Sequence, residues 1–370
     1  MVISNPTTST STSNNDMPAS EPVENEVSKT PTDNTMTANP ALANLLRTTG
    51  TATIHPIFAR SNFTSLSDAD YQRISPALLL ASNIITSPRA TLWYHTYLFG
   101  PQTPITDLRG RPRNIVHKIY QTYEEMPKQG WLSSQTVEMY MSAMVSRTVK
   151  FSFLDTVLGE RYGVCQPVRR ARQAGRGCNS HIMLNKRKLL DTILPPGRDQ
   201  PYHATLGRYM VLTSTLVHEI AHAVGHTRFG PGAEMSFEDD VYCEAGFAFE
   251  SFVLGGKLNY LHMRAYRDPA APVLDFLQIQ TAVWQKVTDA YSKVNADHMP
   301  MRGKAPEVPE EYVMSKQTVE KFFDQAFWDV EVPKIKGGCM RHDSDGLRFL
   351  VGNVTLRAEE MLWEYSFDLF

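Results

Sequence analysis

The run Thr215-Leu216-Val217-His218-Glu219-Ile220-Ala221-His222-Ala223-Val224 sets two histidines and a glutamate among residues that otherwise carry no charge and no proline. On a helix each residue advances about 100°, so His218 and His222 stand one above the other on one face. Both imidazoles can then reach one Zn²⁺ at about 2.0–2.1 Å. Glu219 projects from the neighbouring sector, where it can meet a water acidified by the metal without being a ligand. It is the natural base for that nucleophile. Leu216, Ile220, Ala223 and Val224 cover the other side, so one face is chemical and the other belongs to a core. The helix is predicted to begin after Pro201, near Thr205, and to stop at Gly225.

These residues resemble the extended motif of the zincin metallopeptidases. The resemblance implies that His218 and His222 are zinc ligands and Glu219 the catalytic carboxylate. It covers the active helix and about thirty following residues. A catalytic zinc takes three protein ligands and keeps an open position, so the third ligand sets the subclass. In metzincins the motif continues His-x-x-Gly-x-x-His; Gly225 matches the glycine, but Arg228 occupies the place of the third histidine. An SprT-like protease acting on DNA-linked proteins would use a later histidine. None follows His226 until His262, a poor spacing. His226 itself lies about 12 Å along an unbroken helix from His218, and could bind only if Gly225 broke the helix and swung it inward.

The gluzincin pattern instead takes a glutamate from the next helix. Residues 239–250 read as such a helix, with Asp239 and Asp240 in its positive first turn and Gly255-Gly256 as its stop. Glu244 would lie one turn in, beside an apolar stripe of Val241, Ala245, Ala248 and Phe252, where a carboxylate must find a partner. Ala245, Gly246 and Ala248 are small enough for a close approach to the zinc helix. Glu250, six residues on and about 240° round, is expected outside the site. Glu244 is therefore the expected third ligand, at a spacing from His222 slightly longer than the familiar gluzincin gap, and His226 is its competitor. The wording Glu-x-Gly-x-Ala-Phe-Glu at 244–250 is also similar to that of uncharacterised fungal proteins carrying His-Glu-x-x-His. The aminopeptidase signature Gly-x-Met-x-Asn is absent upstream.

A chain of 370 residues can build one large domain or two parts around a cleft. The first 53 residues are Ser/Thr/Asn/Pro-rich and read as a disordered tail, with no apolar run suited to a signal peptide or a span. Nothing later reads as a membrane helix. The expectation is a soluble intracellular protein, cytoplasmic or nuclear, that does not engage a membrane. A net charge of -2 argues against a nucleic-acid protein driven by bulk charge. Arg169, Arg170, Arg172 and Arg176, with Lys186-Arg187-Lys188, could contact phosphate, but solvated loops are the plainer reading. Four scattered cysteines are expected as reduced thiols. Cys165, Cys178 and His181 lack a fourth ligand for a structural zinc, and a Cys165–Cys178 clamp would need an oxidising compartment.

Helices are predicted over 68–83, 134–144, 282–294 and 315–328. Strands are predicted over the aromatic run 92–98, over 179–185 with Ile182 and Leu184 inward, and over 349–351. In zincins an edge strand before the active helix pairs with the extended substrate, and by that resemblance Asn179–Asn185 is the candidate. Tyr242, Tyr260 and His262 could donate to an oxyanion, and His342-Asp343 could be an orienting pair.

The expected architecture is α+β and zincin-like. A mixed part over 54–228 carries the zinc helix in its cleft, and a mainly helical part covers 229–370. The expected activity is zinc-dependent hydrolysis of a peptide or protein substrate, with Zn²⁺ on His218, His222 and Glu244 and with Glu219 as general base. Its alternatives are a non-catalytic binding scaffold of the same fold and the SprT-like protease.

Overall fold

Ser67 and Ser87 punctuate the first helical layer. The Ser67 hydroxyl accepts from the Asp70 N–H and opens α1, Asp68–Thr86. The Ser87 hydroxyl does the same for Ala90, with Pro88 at the first position, and opens α2, Pro88–Phe99. The run 92–98, expected as a strand, is therefore helical. Its residues are buried all round, and a helix with no solvent face shows no 3.6-residue period to distinguish it from a strand.

The computed structural model describes residues 53–106, 112–116, 134–155, 161–168, 177–193, 202–230, 236–237, 244–263, 274–280, 310–313, 316–334 and 348–350. The predicted tail, residues 1–53, lies almost wholly outside them, as do the predicted helix 282–294, Arg169–Arg176, Tyr242 and His342-Asp343. All described residues belong to the compact unit Asn39–Phe370.

After β1 (Phe63–Thr64), α1 and α2 come the hairpin strands β2 (Gln102–Thr106) and β3 (Pro112–Val116). Helix α3 (Ser134–Met139) continues through a π-helical stretch, Tyr140–Val145, close to the predicted 134–144. Strands β4 (Val149–Leu154), β5 (Gly163–Val168) and β6 (Asn179–Asn185) then complete a four-stranded sheet of order β1-β4-β6-β5. β1, β4 and β6 run parallel, and β5 is antiparallel to β6. Ile182 and Leu184 are buried as expected. Asn179–Asn185 is not an edge, however, because β4 and β5 flank it. The edge is β5, which also holds Pro167, a residue with no N–H to give a central ladder.

Helix α4 (Tyr202–Phe229) crosses this sheet and packs against α1. The Tyr209 hydroxyl donates to Arg73 O (2.9 Å) and Thr213 Oγ1 to Ala77 O (3.1 Å). Gly225 does not stop the helix. A Cβ there would stand 2.6 Å from the Tyr97 hydroxyl, so the glycine serves the close approach of α2. Tyr97 stacks on Trp93 at 4.6 Å, and Trp93 meets Phe237 and Phe249 in an aromatic core.

β7 (Ser236–Phe237) joins β3 in a three-stranded sheet, and α5 (Ala245–Leu254) follows, closed by Gly255 at φ 86°. The remainder, predicted as mainly helical, also carries a sheet. β8 (Lys257–Met263), β9 (Leu274–Gln280), β10 (Glu310–Val313) and β11 (Arg348–Leu350) form an antiparallel sheet of order β11-β10-β9-β8. Helix α6 (Lys316–Phe322) and the π-helical turn Phe327–Glu331 take up most of the predicted 315–328. The architecture is α+β. No helix among the described residues is long and apolar enough to cross a membrane.

Candidate metal centre

Helix α4 buries Leu216, Val217, Ile220, Ala223 and Val224 and leaves His218 and His222 half-buried on the face turned to α5. Their Nε2 atoms are 3.3 Å apart. Glu244 Oε1 lies 3.5 Å from the first and forms a close ion pair with the second. Three donors around one tetrahedral ion at about 2.0–2.1 Å would stand about 3.4 Å from one another. His218, His222 and Glu244 could thus hold a metal ion, and no other such group occurs among the described residues.

Glu244 is not one turn inside its helix. Its backbone is extended (φ -148°, ψ 125°) and it is the N-cap of α5. Oε2 accepts from the Phe247 N–H at 2.7 Å, while Oε1 accepts from Gly246 at 3.2 Å and faces the histidines. With Oε2 committed to its own helix, Glu244 can offer a metal one oxygen, which leaves room for further ligands. Gly246 makes the meeting possible, since a Cβ there would fall 2.5 Å from the His218 ring. The Phe247 ring meets the same imidazole edge-on at 4.5 Å.

Glu250 corrects the expectation that it stands apart. Oε1 accepts from His218 Nδ1 at 2.7 Å, and Oε2 accepts from Ser214 Oγ and the Leu258 N–H, both at 3.2 Å. A carboxylate on Nδ1 keeps the proton there and turns the Nε2 lone pair to the centre. The helical wheel missed this because it counted Glu244 as a helical residue, whereas Glu244 is the extended cap and the helix begins at Ala245. The available signal was a lone charge within Phe249-Glu250-Ser251-Phe252-Val253-Leu254, which a buried helix can hold only with a partner.

Glu219 is buried beneath β5, where the Cys165 main-chain N–H donates to its carboxylate. A Cβ on Gly163 would come 2.9 Å from Glu219 Oε1. Burial holds this carboxyl above the usual range, against the opposing pull of His218 and His222. Burial also disfavours a charged His218, but Glu244 and Glu250 outweigh it and raise the imidazole to about 9. Burial would raise Glu244, but His222 and His218 dominate and lower it to about 2.

His226 lies elsewhere, because the helix runs on through Gly225 and carries it to the sheet. Its Nδ1 is 3.0 Å from Ser180 Oγ and 3.6 Å from Cys165 Sγ. Cys165 and Cys178 are not joined in a disulfide and are separated by the β5–β6 register, in which Cys165 faces Ile182. His181 bonds Ser152 Oγ instead, at 2.9 Å. Tyr260 and His262 fall on β8. Lys186-Arg187-Lys188, read as a loop, instead open a π-helical stretch, Lys186–Leu190, and Lys186 pairs with Asp155 at 3.2 Å. Comparisons of the chain with protein-family models, with curated proteins and with solved structures find no match.

Proposed function

We propose that this protein is a zinc-dependent metallopeptidase of gluzincin type. The observation that carries the reading is the convergence of His218 Nε2, His222 Nε2 and Glu244 Oε1, with a second carboxylate, outside that group, on Glu219 beside them. Zinc, when bound, supplies a Lewis acid that polarises a carbonyl and acidifies water. His218 and His222 hold it through neutral rings, the first oriented by Glu250. Glu219 takes a proton from the attacking water and returns it to the leaving amine. Its burial suits it to that exchange, since a raised carboxyl is the stronger base, although the hydrogen bond from Cys165 pulls the other way. β5 forms the rim next to Glu219, and no strand covers its outer side among the described residues, so an extended peptide would lie along it.

The test pairs elemental analysis with hydrolysis of a fluorogenic peptide library, using wild type, Glu219→Gln, His222→Ala and Glu244→Ala. One zinc per chain is expected in wild type and Glu219→Gln, and loss in the other two. Peptide hydrolysis should fall by about 10²–10⁴-fold in Glu219→Gln. Zinc retained by Glu244→Ala would sink the ligand set. Zinc bound with no hydrolysis in wild type would leave a binding scaffold.

A further inference from the structure

Cys165 touches the centre with its main chain and a second histidine with its side chain. Its N–H goes to Glu219, while its Sγ stands 3.6 Å from Nδ1 of His226, one helical turn beyond His222. It sits opposite Ile182, on the sheet face that packs on α4, and is only half-buried on the edge strand. Cys178 is the internal contrast: it is buried, and burial pushes its thiol up.

We propose that Cys165 is a reactive thiol, with His226 as its base, that is oxidised by hydroperoxides and reports that oxidation to Glu219. His226 Nδ1 accepts the Sγ proton, and the sulfur attacks one oxygen of hydrogen peroxide. The S–O bond forms as the O–O bond breaks, and the departing hydroxide takes the proton back from His226 and leaves as water. Sulfur is oxidised by two electrons, the peroxide is reduced by two, and Cys165 is left as a sulfenic acid that a thiol reductant restores. The added oxygen occupies the seam between β5 and α4, so the strand shifts and takes the Cys165 N–H away from Glu219. Only this last consequence rests on the catalytic role proposed for Glu219.

The experiment treats full-length protein with hydrogen peroxide, traps sulfenic acid with a 1,3-dicarbonyl probe and quantifies each cysteine peptide by mass spectrometry. Cys165 should be labelled about tenfold faster than Cys178, or more. His226→Asn should slow Cys165 by about tenfold or more, whereas Ser180→Ala, which keeps the imidazole, should not. A Cys165 rate no greater than that of Cys178, or than its own in the urea-unfolded chain, overturns the proposal. That comparison decides alone if His226→Asn does not fold. An unchanged rate in a folded His226→Asn removes the histidine from it. Peptide hydrolysis in wild type should fall with peroxide and return with dithiothreitol, and Cys165→Ser should be insensitive to peroxide. Hydrolysis unaffected by a fully oxidised Cys165 overturns the link to Glu219. A fast thiol in a protein with no hydrolysis at all before treatment instead faults the peptidase reading and leaves the thiol chemistry standing.

Discussion

Glu250 ties three neighbours to one buried carboxylate, and it alone fixes which nitrogen of His218 faces the centre. Glu250→Ala should therefore weaken zinc binding by about 10–100-fold, measured by competition with a chromogenic chelator, while His218 and His222 stay in place. An unchanged affinity would reduce Glu250 to a packing residue. The pairing of His218 with His222 was legible because residues four apart on a helix share a face. Glu250 was not, because its position depends on where α5 begins. That start is set by the extended backbone of Glu244, whose carboxylate caps the helix. A cap that also binds elsewhere looks, in sequence, like an ordinary helical residue.

At the scale of elements, the centre is made by two close approaches. α5 reaches His218 over Gly246, and β5 reaches Glu219 over Gly163. Their alanine variants should separate binding from catalysis. Gly246→Ala displaces the His218 ring and should lower zinc affinity in the chelator competition. Gly163→Ala presses on Glu219 and should lower peptide hydrolysis with zinc content unchanged. The same loss of zinc in both would contradict the division of labour. The small residues Ala245, Gly246 and Ala248 announced the first approach, and Gly255 announced the end of the helix. The role of β5 was hidden, because Gly163–Val168 has neither an alternating pattern nor a long apolar run. Its place beside α4 follows from tertiary pairing with β6. α2 was misread for the opposite reason: complete burial erased its period.

In the whole molecule, the centre links stability to pH. In the metal-free protein His218 is raised to about 9, above its unfolded value of about 6.5. Its charged form then stabilises the fold fully below about 6.5, and that contribution is lost as pH climbs through about 9. The melting temperature of chelator-stripped protein should fall across this window. The rise produced by zinc, which competes with the same proton, should grow. A zinc-induced rise that shrinks with pH would contradict the assignment. The C-terminal sheet was the largest feature not foreseen. β8 and β9 lie close in sequence, but β10 and β11 join them across long separations, so no short window of sequence holds the whole sheet. That the donors come from α4 and from the cap of α5 has a further effect. An ion held by His222 and Glu244 at once closes the chain between them into a ring, and its departure opens that ring. Cleavage between residues 223 and 243 by a dilute protease should quicken when zinc is removed, so the time course of nicking would serve as a gauge of how many molecules carry their ion.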